Sequence, residues 1–411
     1  MSEKHLWLFT MRFPYGTGEA FLENELPVLA KHYAKVVVVP LFAEGALRAV
    51  PPNVEVRNLV AKPFRSAGPV LMLKHWRAYR KASAVVRASA PDKQVLRERW
   101  STVRSQLRQA LNRAVVVAPH LFREASPEHT TLYSYWSADW ATVLGLLKVL
   151  DPRVRYVSRM HGFDLYADRA PQGWPVFQAF HVAQAERIFV ASQAGAEDLV
   201  RRYPSHRQRF EVAHLGTHDH GAAPWSPAEE LRLVSCSNLV PLKRVDLLAE
   251  ALKLVKRPVH WTHFGDGPER ERLEELAKAL PANVRVDRKG AVPNAELIAW
   301  YQRTPMDLFV HLSASEGGVP VSMQEAASFG IPLLATAAGG APELVGPPCG
   351  ELLPVDVSAH QVAAAIDRMA DGACRDAAFR SGVREAWRAG FRAEVNYARF
   401  LARMEEVLHP G

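Results

Sequence analysis

The sequence predicts an α/β protein of two consecutive doubly wound domains. Two observations carry that prediction. Short apolar strands alternate with helix-length segments along nearly the whole chain, which is the pattern of a parallel sheet covered by helices. The alternation also breaks once, over an irregular Gly-, Ala-, Pro- and His-containing stretch at 217–229, and then restarts.

The first half opens with a strand at 5–10, a turn-rich Phe13-Pro-Tyr-Gly-Thr-Gly, a helix from about Glu19 to Tyr33, and the strand Val36-Val-Val-Val-Pro. That is a β-loop-α-β unit. Further strands are expected at Thr131–Trp136, leading into a helix opened by Ser137 or Asp139, at Arg155–Arg159 before His161, and at Arg187–Ser192. Between them Leu96, Trp100, Val103, Leu107 and Leu111 recur at spacings of three and four, one apolar helical stripe. In the second half strands are expected at 231–237 and near 259–264, 284–286, 307–312 and 332–336. The expected organisation is a first domain over 1–215, a linker at 216–229, a second domain over 230–390, and an amphipathic helix over 391–411 that returns toward the first domain.

A chain of 411 residues with 48% hydrophobic and 23% charged residues can bury a core in each of two domains. The apolar run at Leu6–Phe9 is too short for a signal-peptide core and reads as a buried strand. No 18 apolar residues run together, so no transmembrane helix is expected. Cys236, Cys349 and Cys374 are scattered, which argues against a disulfide framework and against zinc, and points to a reducing, cytoplasmic compartment.

The net charge of +8 is concentrated. Residues 62–123 hold 14 Lys/Arg against Asp92 and Glu98, a local +12, so the remainder sums to −4. Trp76 and Tyr79 sit among Lys74, Arg77, Arg80 and Lys81. Mixed aromatic and basic residues suit an anionic membrane surface, although solvated helix faces explain the charge equally well. No nucleic-acid recognition motif accompanies the charge, so nucleic acid is not an expected partner.

The most informative stretch is Asp307-Leu-Phe-Val-His-Leu-Ser-Ala-Ser-Glu-Gly-Gly-Val-Pro-Val-Ser-Met-Gln-Glu-Ala-Ala-Ser-Phe-Gly-Ile-Pro. It reads as a buried strand ending near Leu312, a loop with two glycines, and a helix begun at Pro320 and ended at Gly330. Ligands of open α/β sheets bind outside the carboxyl ends of strands. Gly317 and Gly318 let backbone amides approach an anion or hydroxyls. Glu316 and Glu325 suit the hydroxyls of a sugar or ribose and would be poor phosphate ligands. A second strand end, Ser235-Cys-Ser-Asn-Leu-Val-Pro-Leu-Lys-Arg, presents Lys243 and Arg244.

These segments resemble the donor site of family 4 retaining glycosyltransferases, which have the GT-B fold: two Rossmann-like doubly wound domains facing across a cleft that holds the active site. The family's pattern is a Glu, seven residues and a second Glu, followed by a Gly-x-Pro turn. Here eight residues separate Glu316 from Glu325. The resemblance implies that Glu316 contacts the donor sugar, that Glu325 contacts the ribose, and that the amides of Gly317, Gly318 and Val319 face the sugar or phosphates. It implies that Lys243 binds the diphosphate. Asn238 stands where the family has an arginine five residues before the lysine, and Arg244 is a candidate to supply that charge. His263-Phe-Gly-Asp-Gly-Pro, with Gly265, resembles the family's Gly-Asp-Gly-Pro loop. Lys289-Gly-Ala-Val-Pro-Asn, with Gly290 and Val292, resembles the segment that lines the base pocket. Gly339 and Gly340 resemble its Gly-Gly-x-x-Glu turn.

In the first half the resemblance places Gly16 and Gly18 near the donor diphosphate, Glu19 toward the acceptor, and His161 near the transferred sugar, with Asp164 a lesser acceptor candidate. It implies a hexosyltransferase that retains anomeric configuration, with a nucleotide-sugar donor, a UDP-sugar by default and GDP-mannose next. No metal and no other cofactor are expected: there is no Asp-x-Asp motif, and His218-Asp-His220 lies in the expected linker. The implied acceptor is a saccharide, lipid-linked in view of the basic segment, in exopolysaccharide or lipopolysaccharide assembly at the cytoplasmic face of a membrane. Two rivals remain at this point. A nucleotide-sugar epimerase of the same fold leaves the basic segment unexplained. A non-catalytic partner subunit has in its favour Asn238 and the longer Glu-to-Glu spacing.

Overall fold

The computed structural model describes residues 4–16, 18–60, 73–124 and 129–410. The chain divides into two compact units, one of Met1–Ala213 with Tyr397–Gly411, the other of His214–Asn396. Lys62 and Arg65 of the basic segment lie outside the described residues.

The first unit holds a seven-stranded sheet: β1 (His5–Thr10), β2 (Lys35–Pro40), β3 (Val54–Val56), β4 (Thr130–Ser134), β5 (Val157–Met160), β6 (Arg187–Val190) and β7 (Phe210–Val212), in the order β3-β2-β1-β4-β5-β6-β7. All its pairings are parallel. Strands covered on both faces need apolar residues at every position. In β1 and β2, Trp7, Phe9, Val37 and Val39 pack on one side with the helices Trp76–Ala88, Lys93–Glu124 and Asp139–Leu150. Leu6, Leu8, Val36 and Val38 pack on the other, with Leu22–His32 and the C-terminal helix Ala393–Leu408, which contributes Phe400, Leu401 and Met404.

The second unit holds β8 (Leu231–Cys236), β9 (Val259–Phe264), β10 (Val284–Gly290), β11 (Leu308–His311), β12 (Leu333–Thr336) and β13 (Gly350–Leu353), parallel in the order β10-β9-β8-β11-β12-β13. Each sheet therefore starts in the middle and winds outward twice. Its order reverses between β1 and β4 in the first unit and between β8 and β11 in the second. Loops leaving the carboxyl ends of those strands diverge there and open a crevice.

Three short edge strands, β3, β7 and β13, were not expected, because three or four residues show no period. The irregular stretch after Thr217 is packed on the second unit: Trp387 donates its indole N–H to Thr217 Oγ1 (2.8 Å), Asp219 takes Arg384 and Arg388, and Trp225 donates to Asp307 (3.1 Å). The helix expected from Glu19 begins at Leu22 instead, and Glu19 itself adopts a left-handed backbone (φ 56°). Among the described residues, no helix is long and apolar enough to cross a membrane.

Candidate functional site

In the second unit the loops after β8, β9, β11 and β12 are packed backbone against backbone. A Cβ on Gly265 would lie 1.9 Å from the Ser237 carbonyl oxygen, and one on Gly339 would lie 1.7 Å from that of Glu316. Only glycine permits these approaches, and both residues also sit at positive φ. The loops are stitched further by the amide of Ala314 to the Leu242 carbonyl (2.8 Å) and by Thr336 Oγ1 to the Ser313 carbonyl (2.5 Å).

On this frame Lys243, after β8, reaches Glu316, after β11, and the two are ion-paired. The same carboxylate oxygen of Glu316 meets Nε2 of His311 at 2.8 Å. Burial alone would raise the Glu316 carboxyl; the His311 bond and the Lys243 charge outweigh it and hold the pKa down at about 2. Glu316 is thus a fixed, ionised acceptor. Glu325 is its opposite. It is buried in the first turns of the helix Val321–Ser328, and Asn294 Nδ2 donates to it at 2.6 Å. Burial pushes its carboxyl up to about 7. The second unit therefore presents one committed anion and one carboxyl that titrates near neutrality.

The other expected donor residues lie around this pair. Asn238 is exposed in the loop after β8, and Val319 is buried beside the helix start. Gly290 ends β10 at positive φ, its carbonyl accepting the amide of Gly265 (2.8 Å), and Val292 is half-buried two residues on. Gly317 is buried and Gly318 half-buried between Glu316 and Val319; a Cβ on Gly340 would meet Val319 N at 2.6 Å. Arg244, the candidate to supply the charge missing at Asn238, has its guanidinium engaged with this frame: it donates to the carbonyls of Leu312 (2.7 Å), Ser313 (3.3 Å) and Val355 (2.6 Å).

In the first unit, Gly16 (φ 64°) donates its amide to the Ala46 carbonyl (2.9 Å), and the Gly18 carbonyl accepts from Arg48. Glu19 is engaged within the chain: Oε1 accepts from the Met11 amide (3.0 Å) and the Trp136 indole (2.6 Å), and Oε2 from the amides of Arg12 and Phe13 (both 2.6 Å). Asp164 likewise accepts the amides of His161 (2.9 Å), Gly162 (3.2 Å) and Ser137 (3.0 Å), while burial lifts its carboxyl to about 6. Both carboxylates, expected to meet an acceptor, hold loops instead. His161 is buried with neither ring nitrogen bonded, and burial together with Arg159 holds its pKa well below the usual imidazole range. His161 is a neutral imidazole whose two ring nitrogens are both buried without a hydrogen-bond partner.

Sequence reasoning passed over His311, Asn294 and Trp136. His311 left one signal, a polar residue ending an otherwise apolar strand. Asn294 and Trp136 left none, because their partners are 31 and 117 residues away. Among the described residues no group of three or more His, Cys, Asp or Glu gathers as a metal site.

Residues 223–385 match the family model described as glycosyl transferases group 1. The matched segment lies within the second unit. Relatives with related sequences are glycosyltransferases by name. The chain is 27% identical to WcaL of Escherichia coli, named as a colanic acid biosynthesis glycosyltransferase, over 34% of this chain and 36% of that one. It is 29% identical to a GDP-mannose-dependent alpha-mannosyltransferase of Mycolicibacterium smegmatis over 60% of this chain and 63% of that one. The chain thus spans between about a third and under two thirds of the length of these relatives. Solved structures extend the likeness to the whole chain. Anabaena HepE in complex with UDP superposes with a TM-score of 0.68 at 17% identity, covering 98% of this chain and 100% of that one. Sucrose-phosphate synthase of Thermosynechococcus elongatus gives 0.69 at 14%, covering 99% and 100%. The fold is GT-B.

Proposed function

We propose that this chain is a family 4 retaining glycosyltransferase that moves a hexose from a nucleotide-sugar onto a saccharide acceptor. The observation that carries the reading is the Lys243–Glu316–His311 group beside Glu325–Asn294, at the switch point of the unit whose sequence matches the group 1 family. Glu316, ionised and immobile, accepts hydrogen bonds from hydroxyls of the donor sugar. Glu325 receives the ribose. Lys243 offsets charge gathering on the departing diphosphate, the task a metal ion performs elsewhere. The bond from the anomeric carbon to the phosphate oxygen breaks. A bond from that carbon to the acceptor hydroxyl oxygen forms on the same face, and the hydroxyl proton passes to the departing phosphate. His161, kept neutral, hydrogen-bonds the sugar without adding charge.

A UDP-sugar is the proposed donor, in keeping with the UDP and UDP-glucose in the HepE crystals; GDP-mannose is second, in keeping with the mannosyltransferase relatives. The proposed setting is polysaccharide assembly on the cytoplasmic face of a membrane. There the helix Trp76–Ala88 would meet anionic lipid. Leu73 and Trp76 are 81% and 51% exposed beside Lys74, Arg77, Arg80 and Lys81, which are exposed too, and no acid lies between Leu73 and Pro91.

Thermal stabilisation against UDP-, GDP-, ADP- and dTDP-sugars, without added metal, tests the donor site. A selective shift that Glu325→Ala abolishes is the expected result. The absence of a shift with every donor overturns the reading.

A further inference from the structure

β4 and β5 pair only at Tyr133–Val157 and Ser134–Ser158, although β4 begins at Thr130. Toward their amino ends the two strands part. A cavity of about 110 Å³ lies there, wholly within the first unit and at the end of the sheet away from the crevice. Leu121, Leu132 and Val154 belong to the core on one face of the sheet and Leu408 to the core on the other, so the cavity joins the two.

The walls select an apolar occupant. Leu121, Leu132, Val154 and Leu408 are all buried, and a trapped water, which needs two to four polar partners, finds none on them. Phe122, also against the cavity, is 48% exposed and offers its ring to whatever enters. Size limits the occupant further. A cavity of about 150 Å³ is needed to hold one benzene. The smaller volume here admits a single alkyl chain and has no room for the two chains of a diacyl lipid.

The rim selects the head group. Arg153 and Arg155 border the cavity with one carboxylate, Asp151, and His409. Asp151 is spent on Arg153, meeting its Nε (3.1 Å) and Nη2 (2.8 Å), which leaves Nη1 without a bond among the described residues. Arg155 gives its Nη1 and Nη2 to the carbonyls of Leu408 (2.8 Å) and Val407 (2.7 Å), and Glu186, 3.6 Å away, is already taken by Lys148 at 2.6 Å. Burial holds the His409 imidazole below its usual pKa, so it adds no charge near neutral pH. One positive charge is left over at the edge of an apolar hole, which favours a ligand with a single acid group.

We propose that this cavity binds the alkyl chain of one free medium-chain fatty acid, its carboxylate held at the rim by Arg153 and Arg155. The site stands apart from the donor groups and does not depend on the glycosyltransferase reading.

Isothermal titration calorimetry on the intact chain tests this with octanoate, butanoate, octylammonium, 1-octanol and dioctanoyl phosphatidylglycerol, each below its micellar concentration. Octanoate should bind about tenfold or more tightly than octylammonium or octanol, the scale of one charge-assisted hydrogen bond, and tenfold or more tightly than butanoate, which buries fewer methylenes. Arg153→Ser and Phe122→Ala, both at exposed positions where the fold does not depend on the side chain, should each weaken octanoate about fivefold or more. Leu254→Ala, at an exposed leucine of the second unit, should leave it unchanged. Nuclear Overhauser effects should connect the octanoate methyl to the methyl groups of Leu132 and Val154. Failure of octanoate to bind overturns the proposal, as does binding that neither Arg153→Ser nor Phe122→Ala alters. Equal affinity for octylammonium and octanol overturns the acid head group. Dioctanoyl phosphatidylglycerol bound as tightly as octanoate overturns the free acid.

Discussion

Lys243 and Glu316 are ion-paired across the two central strands of the second sheet, one leaving the end of β8 and the other the end of β11. The pair bridges the place where the winding direction reverses. Because His311 shares the same carboxylate oxygen, Glu316 is held from the strand below as well as from the neighbouring loop.

Glu316→Ala should therefore cost turnover far more than stability. Loss of one fixed hydrogen-bonding group at a reacting centre lowers kcat by about 100- to 1,000-fold. Release of nucleoside diphosphate from the donor that stabilises the chain measures the first effect, and circular dichroism the second. Near-normal turnover in a folded variant would sink the donor-sugar role.

Glu325 predicts a pH dependence with a definite sign. Its folded pKa, near 7, lies above the ordinary 4.5. The stabilisation it contributes is complete below pH 4.5 and is lost as pH rises through 7, because the buried carboxyl must ionise. The full loss is on the order of a few kcal/mol. Melting temperatures of wild type and Glu325→Gln between pH 4.5 and 8 should diverge, the wild type declining more steeply. Parallel curves contradict the burial argument. Glu316 acts in the other direction: its depressed pKa contributes stability above pH 4.5 that disappears as pH falls toward 2.

Gly339→Ala places a methyl group where the Glu316 carbonyl already lies, at a φ of 53°. The Glu316 loop must move. Donor-induced stabilisation should vanish in this variant while far-ultraviolet dichroism stays close to wild type. An unchanged donor shift argues that the Glu316 loop does not form the site.

In the first unit Arg159 and Glu25 form a fully buried ion pair at 2.7 Å, and Arg159 also donates to the Ala213 carbonyl (3.2 Å). Removing one member leaves a buried charge unpaired, which costs about 3–5 kcal/mol. Arg159→Met should be strongly destabilising in urea, and Arg159→Met/Glu25→Leu less so than Arg159→Met alone. A double variant worse than the sum of the singles overturns this account.

The helix Trp76–Ala88 should sediment the chain with phosphatidylglycerol vesicles at low salt and release it as ionic strength rises, since charge attraction is screened within about 10 Å at 0.1 M salt. Reversing Lys74, Arg77, Arg80 and Lys81 to glutamate should abolish sedimentation. Equal binding to phosphatidylcholine vesicles argues against the electrostatic part of the contact.

Both parallel sheets and the positions of their main strands along the chain were legible in the sequence, because a buried parallel strand must be apolar at every position and the helices between keep a 3.6-residue period. The pairing of Glu316 with Glu325 on one strand-loop-helix segment was legible for the same reason: the two lie nine residues apart, and local structure places them. What the linear chain did not disclose are the partners that set their charge. His311 is five residues from Glu316, but only the turn after β11 brings its ring back onto the carboxylate. Asn294 meets Glu325 because β10 and β11 end on the same side of one sheet. Arg244 looked like a spare cation, and the carbonyls of Leu312, Ser313 and Val355 claim it. Residue type and spacing settle which segments become strands and helices, since those depend on neighbours within a few residues. Which carboxylate is ionised, which arginine is spent on the backbone, and which indole is locked by Glu19 depend on loops that meet across 68 to 117 residues of chain, and only the tertiary structure decides them.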